Sequence, residues 1–211
     1  GVVMHVLIMI TCISLGSFSF GSCQDGEATD STVVVADTSD FVLPFPVGKR
    51  YKVSQSNNTI WSHSPNNFNG VFRYAYDFDM PVGTVLTASR EGEVVFISDN
   101  FEDSDHTLGH ENVLVIRHRD ATYSRYIHIR KHGALVKTGA TVAKGDTVAL
   151  SGNSGYTLGI PHLHFDVVTA PTGLPDINAQ SIRTLFKNST AYPNALQQNE
   201  RYRALPYTFS K

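Results

Sequence analysis

Between Pro81 and Val168, turn-forming residues recur between short runs of strand character, and no convincing helix of ten or more residues appears. The interruptions are Pro81-Val82-Gly83, Arg90-Glu91-Gly92, Arg119-Asp120, Lys144-Gly145-Asp146 and Gly152-Asn153-Ser154-Gly155. The runs between them are rich in β-branched and aromatic residues, which fit a half-buried pleated surface. Strands are expected over Thr84–Ala88, Glu93–Ser98, Asn112–His118, Thr122–Ile129, Thr147–Ser151 and His162–Val168. The fold expected is all-β, an antiparallel sandwich or barrel-like domain over residues 41–169. Residues 170–211 read as an irregular extension packing on that domain. One helix is expected in it, around Asn178–Lys187, where Ile182, Leu185 and Phe186 share a face.

Ahead of the domain, Val6 to Phe20 is apolar and uncharged. It is shorter than the roughly 20 residues of a membrane span and suits the core of a secretory signal peptide, although no Lys or Arg precedes it. Residues 1–22 are therefore expected to be a signal peptide. Cys23, after the small Gly21 and Ser22, resembles a bacterial lipobox, whose cysteine is lipidated and holds the protein to a membrane. Ordinary cleavage near Gly21 is the alternative. Both routes export the protein to the periplasm or cell envelope, the first as an outer-membrane lipoprotein. Residues 23–40, rich in Asp, Ser, Thr and Ala, read as a flexible tether. Cys12 and Cys23 are the two cysteines of the chain, so the domain folds without a disulfide. A formal net charge of -2 is too small to suggest a nucleic-acid partner.

Nine histidines and two cysteines favour nitrogen and oxygen ligation of a metal over thiolate ligation. Three segments concentrate the chemistry. In Pro161-His162-Leu163-His164-Phe165-Asp166, strand geometry puts His162 and His164 on one face and Leu163 and Phe165 behind them in the core. In Tyr74-Ala75-Tyr76-Asp77-Phe78-Asp79, the aromatic surroundings make an unpartnered Asp77 carboxylate costly. It must meet a cation or donors, or else cap a turn. Asp79 shares its strand parity, but its place beside the Pro81 turn suggests a structural role. His128 closes the run Tyr126-Ile127-His128. His106, His110, His118 and His132 read as surface residues.

Together these segments resemble the lysostaphin-type or LytM-like family of zinc endopeptidases, which cut peptides of bacterial peptidoglycan. The resemblance runs from about Ser62 to Val168 and rests on four segments in family order: a His before YAYDFDMP, then GTVLTASREGEVV, YSRYIHI, and GNSG leading to PHLHFDV. It implies a β-sandwich of the duplicated hybrid motif type, a Zn2+ cofactor and a peptidoglycan peptide substrate. It implies Asp77 and His164 as metal ligands, and His128 and His162 as catalytic histidines that do not bind the metal. The family places a ligand His close before the Asp. The nearest here is His63, 14 residues before Asp77, and it is taken as the third ligand across the insert Ser64–Arg73. That insert and Phe101–His110 are expected to wall the substrate groove. The competing reading is a non-catalytic wall-binding or hydrolase-activating module, but such relatives have lost ligands that this chain retains. A phosphohistidine carrier is cytoplasmic, against the apolar leader, and a biotin or lipoyl carrier needs a Lys setting that is missing here.

Overall fold

Alternation at period two decides the architecture. In β10 (His162–Thr169) Leu163, Phe165 and Val167 are fully buried in the main core, while His162, His164 and Asp166 face the other way. The computed structural model describes residues 40–169 and 171–208; the expected signal peptide, Cys23 and the tether up to residue 39 lie outside the described residues. The other strands are β1 (Arg50–Gln55), β2 (Tyr76–Asp79), β3 (Val85–Thr87), β4 (Gly92–Ser98), β5 (Val113–Arg117), β6 (Thr122–Ile127), β7 (Ile129–Ala134), β8 (Thr141–Val142), β9 (Thr147–Ser151) and β11 (Arg201–Arg203).

Eight strands form one sheet in the order β11-β1-β2-β10-β6-β5-β4-β8, and β3-β9-β7 form a second. Every strand pair is antiparallel. The small sheet covers one face of the large one. Val53, Phe78, Leu114, Tyr126 and Phe165 of the large sheet pack with Leu86, Ile129, Val148 and Ala149 of the small sheet. Burying each large apolar side chain is worth about 1.5–3 kcal/mol, and this packing holds the two sheets together. The expected all-β sandwich is what the chain forms.

Two expectations need correction. The strand expected over Thr122–Ile129 divides at His128, whose φ is +67°. The chain leaves the large sheet there and enters the small one, a change of layer that periodicity does not reveal. The helix expected around Asn178–Lys187 does not form. Ser181 and Phe186 instead make isolated bridges to Val168 and Phe41, and the Ile182 and Lys187 N–H groups donate to Val167 O at 2.8 Å and Phe41 O at 2.9 Å. A ten-residue helix is marginal without tertiary support. The extended path seats Phe186 in the core against Tyr76, with ring centroids 5.3 Å apart.

On the face away from the small sheet, residues directly opposite across antiparallel strands lie side by side. One such row is Gln55, Asp77, His164 and Ile127. The next is Lys52, Asp79 and His162. These rows carry the site.

Candidate metal centre

Asp77 and His164 face each other across β2 and β10. His63 reaches them from a 3-10 turn, Trp61–His63, and is itself fully buried. Its Nδ1–H donates to Ser56 O at 3.2 Å, which leaves the Nε2 lone pair facing inward. Nε2 of His63 lies 3.3 Å from Asp77 Oδ1 and 3.4 Å from His164 Nδ1, and that Nδ1 lies 2.9 Å from Oδ1. Tetrahedral ligation with bonds of about 2.0–2.1 Å separates donor atoms by about 3.3 Å, so these spacings fit one metal ion. Asp77 Oδ1 is a buried acceptor with no hydrogen bond. Three donor atoms converge on a point there rather than pairing off. Two imidazoles and a carboxylate suit zinc-type nitrogen and oxygen ligation and leave a fourth position free.

Several residues that the motifs did not reveal hold these three in place. Gln55 donates through Nε2 to Asp77 Oδ2 at 2.6 Å. Burial alone raises the Asp77 pKa, but the adjacent His63 and His162 outweigh it and hold the carboxyl well below its usual range. His164 turns Nε2 toward Asp166 Oδ2, 3.8 Å away. Burial lowers its pKa, and the Asp166 and Asp77 carboxylates more than reverse this, raising it to about 9. Asp166 accepts from Nε and Nη2 of the buried Arg125 guanidinium at 2.8 and 2.5 Å. Arg125 also donates to Asp176 O at 2.5 Å, tying the C-terminal segment to the site. Phe72, in the insert, packs edge-on against His164 with centroids 5.0 Å apart. The parity that selected His162 and His164 also points to Asp166. Arg125 and Gln55 become visible only through strand register.

His128 and His162 stand beside this group, their ring centroids 4.7 Å apart. His128 donates through Nδ1 to Ser154 O at 2.7 Å, and His162 through Nδ1 to Ile160 O at 2.8 Å. Both therefore present Nε2. Burial foremost, with His162 and His164 nearby, holds the His128 pKa well below the usual imidazole range. The turn that carries Ser154 needs its glycine: Gly155 has φ +76°, and a Cβ there would lie 2.5 Å from Glu111 Cγ.

Of the other histidines, His118 corrects its surface reading. It is buried edge-on against Phe41, with its ring nitrogens at Glu91 O and Ser124 Oγ. His106 and His132 are exposed, and His110 stacks on Phe101 at 4.5 Å. Asp79 lies 3.9 Å from Lys52 and is not among the converging ligands.

Residues 71–175 match Peptidase family M23. The stretch includes Asp77, His128, His162 and His164 and starts after His63, whose place rests on this chain's own geometry. An "Uncharacterized metalloprotease" of Buchnera aphidicola is 32% identical over 130 residues, 59% of this chain and 30% of that protein. "Peptidoglycan DD-endopeptidase ShyA" of Vibrio cholerae is 32% identical over 133 residues, 59% of this chain and 26% of that one. A crystal structure of a zinc containing peptidase from Vibrio cholerae is 28% identical, with a TM-score of 0.44, covering 60% of this chain and 36% of that chain. The chain thus matches less than a third of the length of these curated relatives. Its four ordered segments and the match over residues 71–175 agree: the chain belongs to peptidase family M23, the family of lysostaphin-type and LytM-like proteins.

Proposed function

We propose that this protein is an exported zinc-dependent endopeptidase that hydrolyses peptide cross-links or stem peptides of bacterial peptidoglycan. The observation that carries this reading is the convergence of His63 Nε2, Asp77 Oδ1 and His164 Nδ1 within 4.8 Å of one another, beside two further histidines. Family membership and the named activity of the Vibrio cholerae relative support it.

In this reading His63, Asp77 and His164 hold zinc, which when bound supplies a Lewis acid that brings the pKa of water to about 7 and polarises a carbonyl. His128 enters neutral because burial disfavours its charged form. With Nδ1–H fixed on Ser154 O, its Nε2 accepts a proton from attacking water. His162 is the more exposed of the pair. Taking a proton from solvent onto Nε2, it steadies the developing oxyanion through Nε2–H and passes that proton to the leaving amine, while His128 returns its own proton to solvent. Asp166 and Arg125 fix the orientation of the His164 ring. Residues 1–22 act as the export signal, with Cys23 as the site of lipidation and attachment to the outer membrane.

The test is metal content by plasma emission together with release of fragments from purified peptidoglycan. His164→Ala and His63→Ala are expected to lose both zinc and activity. His128→Ala is expected to keep one zinc per chain and lose activity at least about 100-fold, the scale of a general base. Wild-type turnover by a zinc-free His164→Ala protein would sink the proposal.

A further inference from the structure

The site face of the large sheet does not end at the histidines. Continuing outward from His162, the row runs through Asp79 on β2 and Lys52 on β1 to Arg201 on β11. The neighbouring row places Arg50 directly opposite Arg203. Tyr51 and Tyr202, between these residues, turn toward the main core, so all four cations stand on the outer face. Arg50, Arg201 and Arg203 are exposed. Among the described residues, Asp79 is the one acid paired with the group, 3.9 Å from Lys52. Arg203 donates to Gly48 O at 2.7 Å, and Arg50 and Arg201 have no ion pair among the described residues.

Like charges placed directly opposite on adjacent strands are destabilising, and here two such pairs are stacked on a three-residue strand. Protection of a sheet edge against aggregation accounts for charge on the edge strand itself. It does not account for Arg50 and Lys52, because β1 is paired on both sides. The band is also joined to the site: an open groove lined by Asp79, Met80, Pro81, Pro161 and Arg201 runs along it. Pro161 is the residue before His162.

We infer that this cationic band is a substrate subsite that binds a carboxylate of an acidic peptide strand lying across the sheet. The inference deepens the endopeptidase reading and rests on it for the position of the cut bond. Guanidinium groups meet carboxylates with two parallel hydrogen bonds, and Arg201 and Arg50 are the groups free to do so. At about 4.8 Å per strand, Arg201 is about 14 Å from His162, which an extended peptide spans in about four residues. Lys52 offsets Asp79, so the net field of the band is positive and draws the anionic end of the peptide away from the Asp77 and Asp79 side of the site.

The experiment compares wild type with Arg201→Ala and Arg50→Ala/Arg201→Ala. The substrates are purified peptidoglycan with free stem-peptide carboxylates and the same material after carbodiimide amidation. On the free-carboxylate substrate the double variant should show KM raised about tenfold and kcat within twofold. On amidated substrate the wild type and the variants should become equal, and added salt should erase the difference as it screens the charges. Equal KM for wild type and double variant on the free-carboxylate substrate would overturn the inference, and so would an equal loss on both substrates. Binding of two rhodamine-labelled pentapeptides, one carrying two glutamates and the other glutamines in their place, is followed by anisotropy. If no bond is cut by the wild type, the endopeptidase reading fails, and the peptides still decide the subsite. Glutamate-selective binding lost in the double variant supports it, and equal binding of both peptides refutes it. Unfolding midpoints at or above the wild-type value show that the variants are folded, as expected when like-charge pairs are removed.

Discussion

Each site histidine owes its chemistry to which of its two nitrogens is already engaged. His63, His128 and His162 all commit Nδ1 to a backbone carbonyl, so their working atom is Nε2. His164 is turned the other way, with Nδ1 toward Asp77 and Nε2 toward Asp166. His164 and Asp77 were legible from local motifs, since a strand period of two and an aromatic setting single them out. His63 was legible only by its order along the chain. Away from the site, buried His118 has its pKa lowered to about 4, chiefly by burial with help from Arg90, against the pull of Glu91 O, Asp120 and Glu91. The unfolded chain protonates this residue near pH 6.5, so between about pH 4 and 6.5 it binds a proton that the folded chain refuses. The stability is therefore complete above pH 6.5 and falls by about 1.4 kcal/mol per unit as pH drops toward 4. In urea titrations of metal-free protein at pH 7, 6 and 5, His118→Gln should show a shallower decline than wild type. Parallel declines would refute this.

Among the elements, β10 and β6 do most to build the centre, because their register sets Asp166 opposite Arg125 behind His164, a proposed ligand. Asp166→Asn keeps the shape and removes the charge facing the ring, so zinc affinity should fall about 10–100-fold, read by competition with a chelating dye. Arg125→Met leaves Asp166 buried without its partner and should cost about 3–5 kcal/mol in urea unfolding. A variant with unchanged affinity and stability would show that the pair is idle. The C-terminal segment acts through Phe186, fully buried among Tyr76, Phe78 and Phe165. Phe186→Ala should destabilise by about 3–5 kcal/mol, measured the same way. The helical spacing of Ile182, Leu185 and Phe186 misled because apolar periodicity records which residues need burial. It does not record whether a neighbouring strand will offer hydrogen bonds to an extended path.

At the scale of the molecule, the proposed metal ligands come from separate segments that only the folded sheet brings together, so metal and fold should stabilise each other. Zinc at about a thousand times its dissociation constant adds about 4 kcal/mol, which for a domain of this size is roughly 10 °C in Tm. Chelator treatment should lower the wild-type Tm by about that amount and leave His164→Ala unmoved; equal shifts in both would mean that the metal binds elsewhere. The sequence by itself determined the all-β class and the split between buried and outward residues in β10, because alternation and turn residues act over a few positions. It also carried Asp77, His128, His162 and His164, whose motifs are local. The tertiary structure decided what depends on register and layer crossing: the turn at His128 between the sheets, His63 reaching in from the turn ahead of the insert, Arg125 behind Asp166, and the cationic band of β1 and β11. Those relations join residues up to about 150 positions apart, such as Arg50 and Arg203. Hydrogen-bond register is a property of two strands together, and no single stretch of chain encodes it.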